Sequence, residues 1–322
     1  MKIDQYLADH LVNILEIARL APSVHNTQPW LVSVDGDAIK IEADARHKLT
    51  YGDPTGRQIT ISLGIFSEAV CLAAEQLGLK AAKTSFQQER VFIHFEKTAD
   101  KQQSNSELVR LLRQRHTDRS LYRPIALTEE FVKIIEHSHI GADVRVWATT
   151  DQAKIKKIAT LTAQGISLAL HSPDFRKELS HYLVLPWSKK KRGIAVRSLY
   201  IFWLLELFEP WLIKFGVGLR TEVRLEKKRW LSASGVIAIT AAGDMPKFWF
   251  EAGRTYLRVS LTIEKFGLSQ ATSAAAIEAS NYHEDIEELL GTNQRILAMI
   301  RVGNGSRKKY YSPRVKPNEL LH

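Results

Sequence analysis

Apolar residues at Leu11, Ile14, Leu15, Ala18 and Leu20 recur at helical spacing and predict a helix from about Ile3 to Leu20. Pro22 breaks its last turn and Pro29 holds the chain extended, so residues 21–30 read as a rigid loop. Alternation then predicts a hairpin: a strand from Leu31, a turn at Asp35-Gly36-Asp37 and a return through Ala38-Ile39-Lys40-Ile41. A loop with a turn at Asp53-Pro54-Thr55-Gly56 leads to a helix from Ile65 to about Leu77, capped by Gly78, and a strand at Val91–Phe95. Beyond a polar connection, Leu108, Leu111 and Leu112 give the apolar side of another helix. Next come a helix at about Thr128–His137, a strand at Asp143–Thr149 and a long helix from Asp151 to Leu170. Later elements are a strand at Gly235–Ala242, a helix at Phe250–Phe266, a short helix at Ile286–Leu290 and a strand at Ile296–Val302. The Pro-bearing basic tail from Ser306 to His322 reads as an arm or a disordered end.

Between Ile194 and Leu219 the pattern changes. This stretch is apolar on nearly every side, broken by Pro210 and interrupted by Arg197, Glu206, Glu209 and Lys214. Two glutamates and a proline argue against a membrane span. A helical lid over a site or a partner subunit is the leading expectation. An interfacial membrane contact through residues 186–230, flanked by basic runs and Trp187, Trp203 and Trp211, is the alternative.

At 322 residues, 45% hydrophobic and 25% charged, the chain has the composition of a soluble globular protein of one large or two ordinary domains. Its net charge is +10, and residues 186–230 supply +7 through 11 Lys/Arg against 4 Asp/Glu. That is a basic insertion and not a nucleic-acid-binding surface spread over the chain. Cys71 stands alone in an apolar run, which excludes an internal disulfide and predicts a buried, inert thiol. The first residues lack an apolar signal core, so the expected location is cytoplasmic, with the inner membrane surface as the alternative. No His-Glu-x-x-His, Cys pair or Gly-x-Ser-x-Gly motif is present, so neither a metal site nor a hydrolase nucleophile is expected.

The loop Ala21-Pro22-Ser23-Val24-His25-Asn26-Thr27-Gln28-Pro29-Trp30 offers a hydroxyl, an imidazole, two amides and an indole in one short stretch. Such a loop suits the edge of a planar heteroaromatic ligand; a Pro-bounded turn with a helix cap is the plainer reading. Its Ala-Pro-Ser and Asn-x-Gln-Pro-Trp elements closely resemble the flavin-ring loop of the nitroreductase superfamily. The resemblance implies that Pro22, Ser23 and Asn26 lie at an FMN cofactor, with Thr27, Gln28, Pro29 and Trp30 shaping the site.

A degenerate repeat runs through the chain. The 13–34 segment matches 133–150, the 61–79 helix matches 249–268, and Val91–Phe95 matches the last strand. The first copy keeps the loop, which shrinks to His139-Ile140-Gly141-Ala142-Asp143-Val144 in the second. The second copy holds Arg113-Gln114-Arg115-His116-Thr117-Asp118-Arg119-Ser120, which looks like the family's arginine-rich phosphate motif. Resemblance thus implies an α+β nitroreductase-like fold, with antiparallel-rich sheets flanked by helices and two degenerate copies fused as a pseudo-dimer. Residues 1–100 are one half and 105–322 the other, with a lid insertion at about 175–230. It is similar to the Acg-like branch, single chains with one FMN site.

Arginine binds phosphate bidentately and keeps its charge. By the resemblance, Arg113 or Arg115 holds the FMN phosphate with His116, and Arg119 is a further contributor; this requires the chain to turn back at Thr117-Asp118, and a solvated basic helix face is the plain alternative. Arg307, after Gly303-Asn304-Gly305, is a further phosphate candidate, and a chain-end turn is its plain alternative; no helix follows to make this a dinucleotide motif. Arg57 is a ribityl or phosphate candidate against an ordinary salt bridge. The implied function is hydride transfer from NAD(P)H through FMN to a small electron-poor acceptor, and no separate catalytic residue is assigned. An FMN-binding or storage protein without turnover, closed by its lid, is the alternative. The assembly is expected to be a monomeric pseudo-dimer or a homodimer.

Overall fold

The computed structural model describes residues 2–87, 89–98, 104–201, 203–306 and 309–322. Helix α1 (Ile3–Ala18) buries Leu7, Leu11, Ile14, Leu15 and Ala18, the expected stripe. Strands β1 (Trp30–Asp35) and β2 (Ala38–Ala43) form the hairpin. Helix α2 (Arg57–Glu75) follows, then β3 (Leu79–Gln87) and β4 (Arg90–Lys97), giving an antiparallel sheet of order β1-β2-β4-β3. The second half has α3 (Ser104–Gln114), α4 (Glu129–Glu136), β5 (Val144–Thr149), α5 (Gln152–His171), α6 (Pro173–His181), the two-residue strands β6 (Leu183–Val184) and β7 (Ile194–Ala195), α7 (Trp203–Glu206), α8 (Glu209–Phe215) and α9 (Leu219–Leu231). It closes with β8 (Gly235–Ala241), α10 (Pro246–Lys265), β9 (Ser269–Thr272), α11 (Ala275–Glu278), α12 (Tyr282–Leu290) and β10 (Arg295–Gly303). Its main sheet, also antiparallel, has the order β5-β8-β10-β9.

The two sheets correspond strand for strand. Replacing β1, β2, β3 and β4 by β5, β8, β9 and β10 converts one order into the other. Helices α2 and α10 occupy the same place in each half and pack against each other between the sheets, inside one continuous apolar core. Their crossing is reciprocal: a Cβ on Gly64 would lie 2.1 Å from the Phe250 carbonyl oxygen, and one on Gly253 would lie 2.1 Å from the Ile61 carbonyl oxygen. Each glycine meets the residue three before the other, the self-complementary pattern of a two-fold contact.

Three differences from the sequence pattern have physical causes. Helix α2 starts at Arg57 and not Ile65, because the Asp53 carboxylate accepts hydrogen bonds from the Gln58 and Ile59 amides at 3.0 and 2.8 Å. Being buried on every side, it has no polar face to mark its start. Strands β3 and β9 escape pattern reading because both are edge strands, one mostly solvated and the other four residues long. The tail docks as an arm: Val315 and Leu320 are fully buried, and Val32 donates its amide to the Leu320 carbonyl at 2.7 Å. The excursion from the repeat begins directly after β5, since α5 packs on α9 and both lie outside the corresponding elements of the first half.

Candidate functional site

The 21–30 loop leaves α1 and immediately adopts unusual backbone. His25, Asn26 and Gln28 have φ of 45°, 54° and 50°, left-handed values that non-glycine residues rarely take. A dense set of hydrogen bonds holds them there. The Gln28 amide donates to Ser23 Oγ at 2.9 Å and the Val24 amide to Ser62 Oγ at 3.2 Å. The Asn26 side-chain amide donates to the carbonyls of Gly193 and Pro313, both at 2.9 Å. Gln28 Nε2 donates to the Lys191 carbonyl at 2.8 Å, while its Oε1 accepts from the Val315 amide at 3.0 Å. The insertion and the tail therefore both close on this loop.

Opposite it stands the turn after α3. Asp118, fully buried, accepts from the Ser120 and Ser306 amides at 2.9 Å, and its own carbonyl accepts from Tyr122 Oη at 2.8 Å. Pinned in this way, the chain reverses and brings Arg115, His116 and Arg119 to one wall. A cavity of about 50 Å³ lies between this wall and Pro22, Ser23 and Asn26; Ile194 of the insertion and Tyr310, Tyr311, Ser312 and Arg314 of the tail complete its lining. Arg314 donates from Nη1 to Asn26 Oδ1 at 2.8 Å, and Arg119 Nη1 reaches Ser198 Oγ at 3.4 Å.

The wall is cationic and under-paired. Arg115 and His116 are 5% and 6% exposed. Arg115 Nε and Nη1, both His116 ring nitrogens and Arg314 Nε are buried without a hydrogen-bond partner among the described residues. Buried polar groups are nearly always bonded, so such a cluster is unusual. Burial, reinforced by Arg115 and Arg19, pulls the Arg314 guanidinium down to about 9. Burial and the charge of Arg229 bring Arg119 to about 10, and burial also lowers Arg115 and His116. His25, against Phe175 and Tyr182 of the insertion, is lowered to about 4 by burial and then by the positive charge of Arg119. An anion in the cavity would satisfy the unpaired guanidinium donors of Arg115 and Arg314.

Of the residues singled out in the sequence, Pro22, Ser23, Asn26, Arg115, His116 and Arg119 line this cavity. Thr27 and Gln28 are fully buried beside it and do not line it. Trp30 stacks on Phe66 in the core at 4.3 Å between ring centroids. Arg113 is exposed on α3, turned away from the cavity by the pitch of the helix. Arg57 lies elsewhere: Asp244 and Glu278 each bind its guanidinium at 2.8 Å, the ordinary salt bridge. Arg307 lies outside the described residues. Cys71 is buried, and burial pushes its thiol up, away from reactivity. Among the described residues no cluster of potential metal ligands forms. Arg314, Tyr310, Tyr311 and Ile194 escaped the sequence reading, because nothing local ties the tail or the insertion to a loop more than a hundred residues away; the basic Pro-bearing tail was the one available signal.

No family model matches the chain. Curated relatives do. A Mycobacterium tuberculosis protein whose name assigns it provisionally to the NAD(P)H nitroreductases is 28% identical over 194 residues, covering 58% of this chain and 54% of the relative. PigM of a Serratia species, named in the same provisional way, is 26% identical over 193 residues, covering 54% of this chain and 51% of the relative. The chain is thus similar over about half its length to proteins named as NAD(P)H nitroreductases. The match to these curated relatives spans about half their length. Among solved structures, the FMN and NADPH-dependent nitroreductase NfnB of sphigopyxis sp. strain HMH aligns with a TM-score of 0.43 at 14% identity, over 67% of this chain and 97% of that one. Mycobacterium smegmatis NfnB in complex with NADPH aligns at 0.42 and 16% identity, over 66% and 96%. The chain's own topology gives the expected α+β fold of antiparallel sheets and flanking helices.

Proposed function

We propose that this chain is an FMN-dependent oxidoreductase of the nitroreductase superfamily, moving reducing equivalents from NAD(P)H to a small electron-poor acceptor. The observation that carries the proposal is the set of unpaired buried donors on Arg115 and His116, facing the Pro22, Ser23 and Asn26 loop across one cavity. The donor set fits a phosphate: guanidinium groups bind it bidentately and keep their charge, and a dianion would satisfy groups that are otherwise desolvated without a partner. Arg115, His116, Arg119 and Arg314 would hold that end of FMN. FMN when bound supplies the redox chemistry.

The chain's own residues hold and shape. Ser23 Oγ accepts the Gln28 amide and keeps its own proton to donate. Asn26 has both ends of its amide engaged, on Gly193, Pro313 and Arg314, so it ties loop, insertion and tail together. His25 stays neutral near pH 7 and adds no charge. The relatives' names favour NAD(P)H as the donor.

The cavity's size favours a second reading. At about 50 Å³ it is well below the roughly 300 Å³ or more of a usual small-molecule pocket, and tail and insertion cover it. A protein that stores FMN beneath these segments without turnover fits that observation. The matching sheet orders and the reciprocal Gly64–Gly253 crossing support a fused, Acg-like pseudo-dimer with one surviving site.

Titration with FMN tests both readings. Arg115→Leu is expected to weaken FMN binding roughly tenfold or more, while the FMN-free variant becomes more stable because an unpaired buried cation is gone. Steady-state oxidation of NADH or NADPH with a nitroaromatic acceptor then decides: turnover supports the enzyme, stoichiometric binding without turnover the storage protein. Absence of FMN binding, with no stabilisation by inorganic phosphate, would overturn both.

A further inference from the structure

We propose that the α7–α9 portion of the insertion docks this protein on an anionic lipid bilayer. The side chains sort by face. On α8, Glu209 and Ile213 point inward and are buried, while Trp211 and Phe215, on the opposite side at the same spacing, are 56% and 58% exposed. Leu205, Leu207, Phe208 and Val217 are exposed on the adjoining turns, making a contiguous run of apolar and aromatic side chains at the surface. Two of the four acidic residues of this stretch are turned in or engaged beside Arg229: Glu209 is buried, and Glu226 binds Arg229 and the Trp230 indole. Four of the basic ones face out, with Lys214, Arg220, Arg224 and Lys228 exposed, while Arg229 is buried.

Adjoining the aromatic run, Gly216 and Gly218 form one side of an open groove of about 630 Å³. Leu170, Leu219 and Val223 line it along with Ser167, His171, Arg220 and Arg224, so apolar and cationic side chains share the groove. Aromatic side chains beside exposed cations suit a bilayer interface, where rings enter the headgroup layer and each Lys or Arg is attracted to anionic lipid. A second copy of the chain fits less well, since a two-fold contact through this face would set the same basic side chains against themselves.

Co-sedimentation of the full chain with phosphatidylcholine vesicles, with and without phosphatidylglycerol, tests this. Binding is expected to the phosphatidylglycerol vesicles only and to fall with salt. Two surface variants separate the contributions. Lys214→Glu/Arg220→Glu should lower the partition coefficient roughly tenfold or more, and Phe208→Ser/Trp211→Ser should lower it at any salt concentration. Both should fold and bind FMN as the parent does. Equal partition into neutral vesicles, or no binding to either, overturns the proposal. So does a concentration-dependent dimer by light scattering that Trp211→Ser dissolves, which would assign the face to a second copy.

Discussion

His25, Asn26 and Gln28 hold left-handed backbone without being glycine, and His25 does so with its imidazole kept neutral. Strain of this kind persists only where neighbours over-determine it, and here the insertion and tail supply the neighbours. A consequence for pH follows. The folded His25 titrates at about 4, below its unfolded value near 6.5. Above pH 6.5 both states are neutral and the full stability is present. As pH falls from 6.5 toward 4 the unfolded chain takes up the proton first, and stability declines by about 2 kcal/mol. In urea denaturation of FMN-free protein, the loss between pH 7.5 and 4.5 should be smaller by about that amount for His25→Asn, a residue that tolerates the left-handed φ. An equal loss in both proteins would mean that the imidazole is solvated.

Helices α2 and α10 carry the symmetry of the molecule, and they do so by having no side chain where they cross. Gly64→Ala would drive a methyl into the Phe250 carbonyl 2.1 Å away, and Gly253→Ala would do the same at Ile61. Backbone cannot yield as a flexible side chain does, so each change should destabilise by about 3 kcal/mol or more, at the upper end for overpacking. Urea midpoints would read it; a loss under about 1 kcal/mol would show that the helices slide apart freely. The repeat behind this symmetry was legible because apolar periodicity survives in both copies, but the crossing itself was not read from it. The start of α2 was not, since a helix buried all round has no polar face and its cap comes from Asp53 through backbone amides. Arg57 illustrates a further limit: a lone arginine at a helix start gives no hint whether phosphate or carboxylates await it, and here Asp244 and Glu278 do.

For the whole molecule, the loop was legible because it is a single local stretch, and the turn with Arg115 and Arg119 because the two copies could be aligned. Arg314 was not, because its partnership with Asn26 spans nearly the entire chain. The same closure makes the stoichiometry informative. If the two halves are copies, the second should have had a site of its own, formed by the short loop after α4. There Ile140 packs its backbone onto Thr255, with an amide to hydroxyl distance of 2.9 Å, and a Cβ on Gly141 would meet Glu251. Shortened and faced by Glu251, this loop has no counterpart of the Ser23 and Asn26 side chains that line the cavity in the first half. One FMN per chain is therefore expected from the visible spectrum after saturation and desalting, together with a monomeric mass in solution. Because the cavity is small and the tail lines it, binding should also change amide exchange in residues 309–315 more than in the α2–α10 core. Two FMN per chain would mean that the second half keeps a site despite Glu251, and unchanged exchange in the tail would mean that FMN enters without moving it.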